Sequence, residues 1–145
     1  MKNYFMLNSR KLSDLEEIFF MYPDIERLIA IRKSEIINAK PEYEIVGGRS
    51  NIPSNPTEQA VLSDIEMEVT DKFIIRHRML QDAVRQTLEE MDDKTLAIVH
   101  ERYYSGNGYD WDTIGQMQEP FMPHTTIYRK RKSILTHLAK NIGMI

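Results

Sequence analysis

Apolar positions along this chain recur at spacings of three and four, the signature of helices with one buried face. Between residues 8 and 39, Leu12, Leu15, Ile18 and Phe19 form one stripe, and Ile25, Leu28, Ile29, Arg32 and Ile36 continue a face. Pro23 interrupts the run, which predicts a kinked helix or two helices meeting at Tyr22. Ser13-Asp14-Leu15-Glu16 resembles a capping box and is the expected helix start. Residues 40–56 then lose the period. Pro41, Gly47, Gly48, Pro53 and Pro56 sit among Ser and Asn there, which predicts a long loop. Helical spacing returns at Pro56-Thr57-Glu58 with Ala60, Val61 and Ile65. Thr70 or Asp71 opens a second run through Phe73, Ile74, Leu80, Val84 and Leu88 to Met91, unless the two are one continuous helix.

Stop and start signals are clearer downstream. Asp92-Asp93-Lys94-Thr95 supplies an N-cap and an acidic first turn for a helix carrying Leu96, Val99 and Tyr103. Ser105-Gly106-Asn107-Gly108 ends it. Asp110 caps a short helix over about 110–118. Pro123 is placed as the first residue of a last helix reaching about 141, with Gly143 closing it. No segment alternates convincingly, apart from two or three residues around Ile45-Val46, and there are no repeats. The expected fold class is all-α: a helical N-terminal and central region with a C-terminal helix-turn-helix. The expected divisions are 1–55, 56–91 and 92–145.

Composition narrows the chemistry. The 145 residues include no cysteine, which removes disulfides, thiolate metal sites and cysteine catalysis. No uncharged run approaches membrane-spanning length, and the first twelve residues lack a signal peptide's apolar centre. An intracellular, cytoplasmic protein without membrane contact is therefore expected. The net charge of −3 conceals an asymmetry. Residues 1–118 carry 14 basic and 21 acidic side chains, whereas residues 119–145 carry 5 basic and 1 acidic. Four of those five are consecutive, Arg129 to Lys132. A local basic element on an acidic body suits an oriented contact with a polyanion.

The last helix carries that contact. Ile127, Ile134 and Leu138 fall on one line, flanked by Leu135 and Ile142. The opposite face holds Thr125, Arg129, Lys132, Ser133 and Thr136, basic and hydroxyl-rich without a carboxylate. Arg131 falls near the apolar line, so it should snorkel or pair with a carboxylate. In the preceding short helix Ile114 should face the core, and Gly115 should admit the close approach of the last helix.

Other chemistries find little support. Gly47-Gly48-Arg49-Ser50-Asn51-Ile52-Pro53 lacks the Lys-Ser/Thr of a P-loop. His100-Glu101 begins a zinc-protease motif that fails at Tyr104. Glu89, Glu90, Asp92 and Asp93 are explained by a helix end and an N-cap. His77, between two arginines, has no nearby nucleophile in sequence. No catalytic residue, metal ligand or cofactor is expected, and the chain is not read as an enzyme.

Three segments carry a family resemblance. They are Thr95-Leu96-Ala97-Ile98-Val99-His100-Glu101-Arg102-Tyr103-Tyr104, Trp111-Asp112-Thr113-Ile114-Gly115 and Thr125-Thr126-Ile127-Tyr128-Arg129-Lys130-Arg131. In that order they resemble phage late-gene transcriptional activators of the RinA and ArpU type, whose C-terminal unit resembles region four of bacterial sigma factors. Gly47-Gly48-Arg49-Ser50-Asn51 followed by Pro56-Thr57-Glu58 is similar to the loop before that family's central helices. The stretch from Ile114 to Arg129 is longer than the family's commoner turn, the extra length falling in Gln118–Met122. The resemblance implies activation of late operons and sequence-specific binding of double-stranded DNA in a late promoter region. It also implies His124, Thr125, Thr126, Tyr128, Arg129 and Lys132 on the groove-facing helix, to which the basic run adds Lys130 and the hydroxyl-rich outer face adds Ser133. Host RNA polymerase is a candidate partner, and the place of action is the host cytoplasm at the nucleoid. Paired half-sites favour a homo-oligomer, with the helices at 8–39 and 57–91 as interface candidates. The alternatives are a small-terminase-like DNA-packaging subunit and a helical adaptor without DNA contact. A small-terminase-like ring would carry its helix-turn-helix near the N-terminus.

Overall fold

The computed structural model describes residues 6–39 and 56–145, with side chains from residue 63 onward in the second span. The Gly47–Asn51 loop and the Ile45-Val46 pair lie outside the described residues. The described elements are all helical. In chain order they are α1 (Ser9–Met21), a 3-10 turn (Tyr22–Asp24), α2 (Ile25–Asn38), α3 (Pro56–Thr70), α4 (Lys72–Glu89), α5 (Asp93–Val99) with a π turn (His100–Tyr104), α6 (Trp111–Gln116) and α7 (His124–Ile142). The fold is all-α. No helix among the described residues is long and apolar enough to cross a membrane.

Local chemistry sets the ends. Asn8, rather than Ser13, caps α1: its side-chain oxygen accepts from Lys11 N at 2.9 Å. The earlier start brings Leu12 inside the helix, where it packs on the core. Pro23 lies in the 3-10 turn, so α1 and α2 are separate helices. Asp71 likewise separates α3 from α4, its carboxylate accepting from Ile74 N at 3.2 Å. Asp92 and Asp110 cap α5 and α6 by accepting from Thr95 N and Thr113 N. Pro123 stands one residue outside α7, not as its first helical residue: its extended ψ of 169° makes it the cap. Gly143 ends α7 at φ +90°, a conformation that L side chains resist.

The chain forms two compact units, one of residues 1–23 and 80–145 and one of residues 24–79. These divisions differ from 1–55, 56–91 and 92–145, because α1 shares a core with the C-terminal helices. That core joins Leu15 and Phe19 of α1, Ala83 and Val84 of α4, Ile98 and Val99 of α5, Trp111 and Ile114 of α6, and Ile127, Ile134, Leu135, Leu138 and Ala139 of α7. The π turn after Val99 replaces the expected continuation of α5 and is closed by Ser105 N donating to His100 O at 2.8 Å. It turns Tyr103 into the core, stacked on Phe19 at 4.8 Å.

The unit of residues 24–79 buries Ile25, Ile29, Met67 and Ile74. Charge pairs clip its helices together. Arg32 forks onto Asp71 at 2.9 and 3.1 Å. Lys33 reaches Asp64 and Glu68, and Arg78 reaches Glu68 and Glu26. Bonds from Arg78 and Lys33 bring the Glu68 carboxyl down to about 2. Solvent screens such partly exposed pairs, so the network orients helices more than it stabilises them.

Candidate nucleic-acid interface

Two helices build the candidate surface. The short α6 packs its buried Ile114 against α7, and Met122 N donates to Gly115 O at 3.0 Å to close the connection. A Cβ at Gly115 would collide with the Met122 carbonyl oxygen and press on Ile127 Cβ at 3.2 Å. The small residue is thus required by the close approach of α7.

The inner side of α7 is fixed by packing and by one ion pair. Ile127, Ile134, Leu135, Leu138 and Ala139 are buried, each large side chain contributing roughly 1.5–3 kcal/mol by removal from water. Arg131 lies on the same inner side and donates to Glu16 Oε1 from Nε at 3.0 Å and from Nη2 at 2.7 Å. The other oxygen, Oε2, accepts from the Tyr103 hydroxyl at 2.8 Å, Trp111 Nε1 at 3.0 Å and Arg102 Nε at 3.4 Å. Glu16 is only 8% exposed. Burial would raise its carboxyl, but the bonds from Arg131, Tyr103 and Trp111 outweigh that and hold it below the usual glutamate value. This hub joins α1, the π turn, α6 and α7. The sequence alone names no partner for Arg131, and Glu16 serves this buried hub rather than a capping box.

The outer side of α7 is what remains. His124, Thr125, Thr126, Arg129, Lys132 and Ser133 are exposed. Tyr128 and Lys130 are only half-exposed. The Tyr128 ring packs on the core edge and stacks under His124 at 4.3 Å, leaving part of its surface free. His124 is further held by Asp112 of α6, Nδ1 to Oδ1 at 2.7 Å. Hydrogen bonds from Thr95 lower the Asp92 carboxyl, with a smaller contribution from the Lys130 charge. The structure therefore brings six of the eight expected residues onto open surface and sets two at its margin. It adds two that the sequence does not place on the contact face, His137 and Lys140, which with Thr136 join Arg129, Lys132 and Ser133 around a shallow groove of about 490 Å³.

The comparisons with known proteins add a family. A family model described as a protein of unknown function (DUF722) matches residues 12–140. The chain belongs to the DUF722 family. The DUF722 match runs from α1 into the last turn of α7, so it takes in the hub, the close contact at Gly115 and the exposed stripe alike. No curated protein and no solved structure matches the chain.

Among the described residues no cluster of His, Asp and Glu is arranged to hold a metal ion. Glu90, from the acidic run, accepts from Asn141 at 2.9 Å and bonds His137 Nε2 at 3.0 Å. Asp92 serves as a cap. His77 bonds the Phe73 carbonyl and stacks on its ring at 3.9 Å.

Proposed function

We propose that this protein is a sequence-specific, double-stranded DNA-binding transcriptional activator of phage late genes, acting through a C-terminal helix-turn-helix formed by α6 and α7. One observation carries the reading. The exposed side of α7 presents hydroxyl, imidazole, guanidinium and ammonium groups with no carboxylate, while every large apolar side chain of the helix and its one ion-paired arginine face inward. Such a face suits the acceptors of the major groove and its phosphates. The N-terminal position of His124, Thr125, Thr126 and Arg129 matches the part of a recognition helix that meets base edges.

In this reading α6 crosses the backbone and orients α7, and Arg129 reads a base pair. Lys132 meets a phosphate. The protein works in the host cytoplasm at the nucleoid, as a homo-oligomer on paired half-sites, with host RNA polymerase as the partner of activation. Exposed Ile31, Ile65, Val69, Ile75 and Met79 in the unit of residues 24–79 are the apolar surface on which self-association would draw. Footprinting on the phage's own late promoter region tests the proposal. A protected, salt-sensitive site is expected, and equal binding to every sequence, or to none, would refute it.

A further inference from the structure

The reach of the polar stripe along α7 exceeds what contact by a helix N-terminus alone requires. At about 100° per residue, Thr125, Arg129, Thr136 and Lys140 fall within about 60° of one line. Ser133, Lys132 and His137 flank them around the groove. No ion pair engages Arg129, Lys132 or Lys140 among the described residues, whereas Arg131 is committed to Glu16. The 19 residues of α7 contain no carboxylate. The Glu90 carboxylate, which reaches the groove residue His137, is occupied by His137 and Asn141.

The spacing gives this stripe a meaning. Arg129 and Lys140 are eleven residues apart, roughly 16 Å along the axis at 1.5 Å per residue. The major groove is about 12 Å wide. A helix lying side-on and obliquely in that groove, with Arg129 at the base edges, therefore carries Lys140 to the phosphates of the groove wall. Thr136, between them, offers a hydroxyl to the same strand.

Building on the DNA-binding reading, we infer that α7 docks lengthwise rather than end-on, and that Lys140 with Thr136 forms a second phosphodiester contact, Lys140 standing about three turns beyond Arg129. The ligand is the sugar-phosphate backbone, so the contact adds affinity and salt dependence without sequence preference. Lys140 also suits the negative end of the helix dipole. That role alone alters thermal stability and leaves the salt slope unchanged.

The test measures binding of the full chain to a footprinted duplex and to a scrambled duplex of equal length, from ~50 to ~200 mM salt. Lys140→Ala is expected to reduce the log–log slope by about 0.9 on both duplexes. The affinity lost over that salt range then shrinks roughly 3.5-fold, and the preference between the duplexes stays as in the parent. Lys140→Arg should restore the slope, and Lys72→Ala, exposed on α4, should leave it untouched. An unchanged slope for Lys140→Ala, with the parent binding DNA, overturns lengthwise docking and leaves the DNA-binding reading standing. An equal fall for Lys72→Ala overturns it as well, by showing a general charge effect. Absence of binding by the parent to either duplex overturns both readings.

Discussion

Replacing Glu16 by Ala should come close to unfolding the unit that carries α7. The carboxylate is the shared acceptor for Arg131, Tyr103, Trp111 and Arg102, donors drawn from three different elements. Its removal leaves the Arg131 guanidinium, whose side chain is 18% exposed, without a counter-charge. Breaking one partner out of a buried pair costs about 3–5 kcal/mol. The Tyr103 hydroxyl and the Trp111 N–H also lose their acceptor, at about 1–3 kcal/mol each where no water replaces it. These terms overlap, because all of the donors converge on one carboxylate, and a net loss of about 5 kcal/mol is expected. That is a large share of the ~5–15 kcal/mol available to a typical domain. Glu16→Gln keeps an acceptor oxygen and the shape but not the charge, and should lose about half as much.

The assay is urea unfolding followed by tryptophan fluorescence, since the chain has one tryptophan and its indole N–H bonds Glu16 directly. The same experiment has a pH arm. The folded carboxyl stands below its ordinary value of 4.5, so its stabilisation is fully present above that value and is lost as pH falls below it toward the folded value. The parent should therefore lose stability faster than Glu16→Gln on acidification below about pH 4.5. A Glu16→Ala midpoint corresponding to less than about 1 kcal/mol of loss would refute the argument that this hub holds α7 in place.

Three further outcomes follow from the same geometry. Gly115→Ala should destabilise by about 1–3 kcal/mol in urea, because its Cβ meets the Met122 carbonyl oxygen, and should weaken DNA binding through displacement of α7. Asp110→Ala removes the α6 cap and should cost about 0.5–2 kcal/mol, measured by the same unfolding curves. Arg129→Ala should leave the melting temperature within a few degrees of the parent, and in titrations of specific and scrambled duplexes should lose about 1–3 kcal/mol on the specific one only.

The helices were legible because each must bury a stripe, and a buried stripe is written at a fixed period. Leu15 and Phe19, Val84, and Ile127, Ile134 and Leu138 are core residues in the structure for that reason. Helix starts were less legible. Asn8 and Ser13 are both good caps, and only the docking of Leu12 on a core made by distant residues favours the earlier one. The π turn left no sign in the sequence, since His100–Tyr104 continues an ordinary helical pattern and its widening serves the contacts of Tyr103. The grouping of α1 with the C-terminal helices depends on partners far apart in the chain, as Glu16 and Arg131 are, 115 positions apart.

That pair also shows what a one-helix reading can and cannot reach. Glu16 lies between Leu15 and Phe19 on the apolar side of α1, and Arg131 lies near the apolar line of α7. Each alone breaks the pattern of its own helix. Two opposite breaks on two buried stripes point to each other, because a buried charge persists when it is paired. The outer side of α7 was legible by the complementary rule. Once Ile127, Arg131, Ile134 and Leu138 take the inside, Thr125, Arg129 and Lys132 have only the outside left. The fate of Lys130 shows the limit of that rule. It belongs to the same basic run as Arg129 and Lys132, yet it is only half-exposed where they are exposed. Basic character alone therefore does not tell which members of the run stand on the exposed stripe; their positions around the helix do.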